Sequence, residues 1–130
     1  MPKVYSCLIE VRGYELDSFN HVNHSVYLNY LEFARWKMLH AEEITLEKLQ
    51  AWKLWPVIAK IEIQYLKPTF MGDQLEVRTQ ILEHSKTSFV IKQDIYKGNM
   101  HVVDAKVLSV TVNEKGRPAA NPPEVSRLWT

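Results

Sequence analysis

The order of hydrophobic patterns along the chain predicts an α+β fold: one antiparallel sheet of five or six strands wrapped around one long central helix. Three observations carry this. A helical period runs from Asn23 or Ser25 to about Glu42, two-residue alternation appears in one segment before it and four after it, and short turn-forming clusters separate the last four. A sheet built this way has a single long helix to cover it.

From Val4 to Arg12 the residues alternate, with Tyr5, Cys7, Ile9 and Val11 on one face and Ser6, Glu10 and Arg12 on the other, which predicts a first strand. Gly13 to Val22 has no period and concentrates Asp17, Ser18, Asn20 and His21, polar residues that bond nearby backbone, so a loop is expected. The helix carries Tyr27, Leu31, Ala34 and Met38 on one stripe, widened by Val26, Tyr30 and Phe33, and should be covered over much of its circumference. Leu46, Leu49, Trp52 and Trp55 follow in a stretch compatible with one short helix. Val57, Ala59, Ile61, Ile63 and Tyr65 then alternate against Lys60, Glu62 and Gln64 as a second strand, which Pro68 ends. Gly72-Asp73 makes the turn into a third strand carrying Leu75, Val77, Thr79 and Ile81. Ser85-Lys86-Thr87 and Lys97-Gly98-Asn99 set off the fourth strand and a fifth from about His101 to Asn113. The fifth is apolar on both faces near Leu108, Val110 and Val112, the mark of a central strand or of a bulge. From about residue 117 a proline-rich tail follows, with a short terminal helix expected from Pro123.

A length of 130 residues fits one domain spanning 1–130. With a net charge of +1 the chain has no global field for a nucleic-acid backbone or an anionic membrane, so no nucleic-acid partner is expected. No apolar run approaches the ~18 residues of a membrane span, and the polar start from Met1 to Ser6 has no signal-peptide core. The single Cys7 in an alternating apolar stretch reads as a buried free thiol, consistent with a cytoplasmic location.

The run Asp17-Ser18-Phe19-Asn20-His21-Val22-Asn23-His24-Ser25-Val26-Tyr27, followed by Glu32 and Arg35, resembles the loop-to-helix motif of 4-hydroxybenzoyl-CoA-thioesterase-like acyl-CoA thioesterases. Tyr65-Leu66-Lys67-Pro68, closed by Gly72-Asp73, is similar to a second signature of that family, and the element order resembles its hotdog fold over nearly the whole chain. The resemblance implies hydrolysis of an acyl-CoA, no cofactor, and a homodimer or homotetramer. It places the catalytic carboxylate at Asp17 and a polarising backbone N–H at His24, with His21 either orienting Asp17 or bracing the loop. Some relatives carry a polar amide or acid two positions after the aspartate, where this chain has Phe19.

Thioester hydrolysis needs a carboxylate to attack or to activate water, and donors for the developing oxyanion; one loop entering one helix can supply both. Asn23 is a candidate helix cap or substrate contact, and Tyr27 a candidate substrate contact at the helix start. Lys86, Thr87 and Ser88 form a turn suited to the anionic nucleotide end of CoA or to a solvated hairpin tip. Glu32 and Arg35, at i and i+3, are expected to form a structural ion pair. His21 and His24 have a metal-like spacing but neither a cysteine nor a positioned third ligand, so no metal is expected. Two other readings fit a hotdog domain: a hydratase or dehydratase of acyl thioesters, and a non-catalytic acyl-CoA-binding module.

Overall fold

The computed structural model describes residues 3–130, leaving Met1 and Pro2 of the polar start outside the described residues. Strand β1 (Tyr5–Glu10) leads through a short 3-10 turn (Gly13–Glu15) to helix α1 (His24–Ala41) and helix α2 (Leu46–Trp52). Strands β2 (Leu54–Tyr65), β3 (Gln74–His84), β4 (Ser88–Lys97) and β5 (Met100–Asn113) follow, and a 3-10 segment (Pro123–Leu128) ends the chain. The five strands form one antiparallel sheet in the order β1-β3-β4-β5-β2. This is the α+β hotdog arrangement with the lower of the two expected strand counts.

Alternation places Leu75, Val77 and Ile81 of β3, Phe89, Ile91 and Ile95 of β4, and Val103, Ala105 and Val107 of β5 on the buried face. Opposite them α1 contributes Tyr27, Tyr30, Leu31, Ala34 and Met38, the stripe expected from its period, while Phe33, expected to widen the covered surface, is exposed. Burying a branched aliphatic or aromatic side chain stabilises the fold by about 1.5–3 kcal/mol, so this sandwich supplies most of the driving force. β5 lies between β4 and β2, which explains why its apolar residues fall on both faces.

β2 departs from its expected pattern. It begins at Leu54, and its register with β5 shifts between Ile58 and Lys60. Ile61 stands opposite Val107 and Ile58 opposite Ser109, so a bulge at Ala59 brings both isoleucines to the inner face and turns Val57, opposite Val110, to the other. Uninterrupted alternation had grouped Val57 and Ala59 with Ile61.

The proline-rich tail returns to the body. Val125 and Leu128 are buried with Met38, Leu39, Ile44 and Leu49, and Asn121 bonds Thr111 on β5. Among the described residues no helix is long and apolar enough to cross a membrane.

Candidate active site

The loop between β1 and α1 is held at both ends by backbone bonds. Val11 N–H donates to Asp73 O at 3.0 Å, Gly72 N–H to Val11 O at 2.9 Å, and Val22 N–H to Thr69 O at 3.0 Å. The Gly72-Asp73 turn therefore anchors the loop as well as joining two strands; Gly72, at φ 87°, occupies a conformation that favours glycine.

Inside the loop Leu16 pairs with Val22, Asp17 N–H donates to His21 O at 2.7 Å, and Asn20 N–H donates to Asp17 O at 3.0 Å. Asn20 takes the left-handed conformation at φ 63°, which asparagine tolerates better than most residues. The side chain of Asp17 completes this small hairpin: Oδ1 accepts the N–H of Phe19 at 2.8 Å and of His21 at 3.2 Å. Among the described residues Oδ2 has no partner. A half-buried carboxylate is thus fixed by one oxygen with the other free.

The chain then enters α1 directly. Asn23 is the N-cap, its Oδ1 accepting from Ser25 N–H at 3.0 Å and from the Ser25 hydroxyl at 2.9 Å, while Asn23 N–H donates to Glu15 O at 2.9 Å. The N–H of His24, first residue of the helix, has no acceptor among the described residues. An unbonded amide at the positive end of an 18-residue helix is a ready donor to a carbonyl oxygen. The imidazole of His24 lies edge-on to Tyr65, whose hydroxyl donates to His24 O at 3.1 Å and so ties the end of β2 to the start of the helix.

The His21 ring packs edge-on against Phe70, centroids 5.2 Å apart, and makes no hydrogen bond to the Asp17 carboxylate. Tyr27 is buried under the loop, its hydroxyl 2.7 Å from Thr69 Oγ1; burial raises its pKa, and the Thr69 bonds partly offset this. Lys86, Thr87 and Ser88 lie elsewhere. Their hairpin tip is fastened by Thr111 N–H to Thr87 O and by Asn121 N–H to Lys86 O. The tip is separated from the Asp73 anchor by the 11 residues of β3, a span of roughly 36 Å at strand rise. Within one protomer these three residues and Asp17 are at opposite ends of the sheet.

Glu32 and Arg35 are not within ion-pair distance among the described residues. Arg35 Nη1 instead donates to the buried Gln93 Oε1 at 3.0 Å, and Gln93 Nε2 donates to Leu31 O at 3.0 Å and Thr79 Oγ1 at 3.1 Å. Glu32 is exposed while Arg35 bonds Gln93 on the sheet, so the i,i+3 spacing does not bring the charges together. Burial lowers the Arg35 pKa, and the charge of Glu32 opposes that shift.

Sequence reasoning missed Glu15. It is 7% exposed, and its carboxylate accepts the Tyr30 hydroxyl at 2.6 Å, the Arg12 backbone N–H at 2.9 Å and the Arg12 guanidinium at 2.6 Å. Burial pushes its pKa up, but the bonds from Arg12 and Tyr30 together outweigh burial and hold it below the usual carboxylate value. The signal was Arg12-x-x-Glu15, a capping-box spacing across the boundary between the expected first strand and the expected loop. A cluster on the other face was also missed: Asp94, His101 and Asp104 come together there, with the Lys92 ammonium 2.6 Å from Asp94 and 2.8 Å from Asp104.

Comparison with known proteins places the chain in a family. Residues 11–129 match the model of the thioesterase-like superfamily. The chain is 32% identical to the long-chain acyl-CoA thioesterase FadM of Escherichia coli strain K12 over 85% of each chain. It is 31% identical to the acyl-CoA thioester hydrolase YbgC of Escherichia coli O6:H1, over 85% of this chain and 84% of YbgC. A crystal structure of a hypothetical protein from Aquifex aeolicus superposes with a TM-score of 0.88 at 28% identity, covering 99% of this chain and 100% of that one. With almost its whole length matched, loop and helix start included, the chain belongs to the thioesterase-like superfamily.

Proposed function

We propose that this protein is a thioester hydrolase that cleaves acyl-CoA to a free acid and CoA, with Asp17 as its reacting carboxylate. The observation that carries the reading is a pair: the free Oδ2 of Asp17 and the unbonded N–H of His24, held in one loop-to-helix unit. The names of FadM and YbgC support the substrate class. The His24 amide polarises the thioester carbonyl and stabilises the oxyanion. Asp17 either takes a proton from a water whose oxygen adds to the carbonyl carbon, or adds through Oδ2 itself to give an anhydride that water then opens. In both routes the C–S bond breaks and CoA leaves as a thiolate that is then protonated. His21 braces the Asp17 hairpin against Phe70, and Asn23 and Tyr27 hold the start of the helix where the thioester sits. A CoA held there meets the Lys86 turn only if that turn belongs to another protomer.

The working form is at least a homodimer. β2 is a 12-residue edge strand paired only with β5, and it exposes Val57, Ile58, Ile61 and Tyr65. Such an edge is a template for a second copy. The free thiol of Cys7 suits a reducing cytoplasm.

Thiol release from a panel of acyl-CoAs tests the reaction, read beside hydration of an enoyl-CoA. Free CoA is the expected product. Hydration without CoA release, or binding without turnover, would overturn the reading.

A further inference from the structure

A cavity of about 250 Å³ lies between the C-terminal half of α1, helix α2 and the inner face of the sheet. Trp36, Leu39, Leu49, Trp55, Phe89 and Ser109 line it, with Glu32 and Arg35 on the side nearer the start of α1. Its walls are apolar except there and at Ser109. Ser109 is 1% exposed, and its hydroxyl is the one buried side-chain polar atom without a hydrogen-bond partner among the described residues. Buried hydroxyls are nearly always bonded, so an orphan on a residue that borders a cavity asks for a partner at the cavity wall.

The cavity stands in line with the candidate active site. The bond from Tyr65 to His24 O sets the end of β2 beside the first turn of α1, while Trp55 and Ile58, farther back on the same strand, border the cavity with Glu32 and Leu39. Between these points run the half-exposed apolar side chains of Leu28 on α1 and Ile61 on the inner face of β2. The bulge at Ala59 turns Ile58 inward and so continues that strip to Ser109, its partner in the ladder. At 1.5 Å per helical residue, Glu32 and Leu39 lie roughly 12 and 22 Å along the axis from His24. An extended chain gains about 1.2 Å per bond, so about ten to eighteen bonds span the path. A one- or two-ring aromatic acyl group would end short of the cavity.

We infer that the cavity receives the far end of a medium or long acyl chain and that Ser109 recognises a hydroxyl carried there, making ω-hydroxyacyl-CoAs a preferred substrate class. This rests on the thioesterase reading and deepens it. An apolar cavity with no polar partner would favour the plain chain, because burying an unmatched hydroxyl is costly. A preference for the oxygenated chain that disappears with the Ser109 hydroxyl is therefore a signature of Ser109 rather than of Glu32, Arg35 or the cavity's size.

The test compares kcat/KM for dodecanoyl-CoA and hexadecanoyl-CoA with their ω-hydroxy counterparts. The wild-type protein should favour the hydroxylated member at one or both lengths by about tenfold, the scale of one well-made hydrogen bond in a buried site. Ser109→Ala should bring that ratio to about one or reverse it. Ser109→Cys keeps the core filled and offers only a weak donor, so it should give the same loss if the alanine variant melts early. No wild-type preference at either length, or a preference that survives both substitutions, would overturn the inference. If no acyl-CoA is hydrolysed, the thioesterase reading fails by itself. Calorimetric binding of free ω-hydroxydodecanoic and dodecanoic acids then reads the cavity directly, tenfold tighter binding of the hydroxy acid and its loss in Ser109→Ala being expected and equal affinities contradicting it.

Discussion

The phenolic oxygen of Tyr30 lies 2.6 Å from Glu15 Oε1, joining the middle of α1 to the 3-10 turn that precedes Asp17. The same carboxylate takes both the backbone and the guanidinium of Arg12, and Glu15 O accepts from the helix cap at Asn23. Burial, then the bonded carboxylate, push the Tyr30 hydroxyl far above its usual range, so it stays a donor. The Asp17 loop thus rests on a charged, buried knot.

Glu15→Gln should loosen that knot. A lost charge-assisted bond is worth about 2 kcal/mol, or roughly 4–10 °C of melting temperature for a chain of this length. The folded carboxyl lies below its ordinary value of 4.5, so its stabilisation is present above that pH and disappears as pH falls through the folded value. Thermal melts from pH 7 to pH 3 should show the parent losing stability below 4.5 more steeply than Glu15→Gln. Parallel acid slopes would assign Glu15 no role in acid sensitivity.

Arg35→Met should lower the melting temperature while leaving hydrolysis of short acyl-CoAs within about threefold. The substitution leaves Gln93 Oε1 buried without its donor, a penalty of about 1–3 kcal/mol. Differential scanning calorimetry beside a thiol assay checks this. A normal melting temperature with lost turnover would place Arg35 in the chemistry.

The strands, the helix stripe, the cap at Asn23 and the Asp17 loop were legible because each depends on local periodicity or short-range bonding. Besides the Glu15 knot and the Asp94, His101 and Asp104 cluster, three further features were not. The bulge at Ala59 depends on pairing with β5, and the sequence shows only unbroken alternation there. Arg35 turns to Gln93, 58 residues away, for a bond that no spacing on one helix announces. The hydroxyl of Ser109 became informative only once the sheet left it without a partner beside a cavity.

Sedimentation velocity at micromolar concentration should show a dimer or tetramer. Specific activity should fall on dilution as the β2 edge is uncovered. A fully active monomer would contradict the proposed assembly.

His21→Ala should slow hydrolysis by less than about tenfold, since its ring packs on Phe70 and makes no bond to the carboxylate. General acid–base catalysis is worth about 10²–10⁴-fold. A loss in that range, with a normal fold, would move His21 from bracing to proton transfer.

Asp17→Asn tests the central claim most directly. The amide retains an oxygen to accept the N–H groups of Phe19 and His21, so the hairpin should persist, but it can neither take a proton nor form an anhydride. Thiol release under saturating acyl-CoA should fall by about 10²-fold or more, with unchanged melting temperature and retained binding of a non-hydrolysable acyl-CoA analogue. Near-parental thiol release by the folded variant would contradict the account.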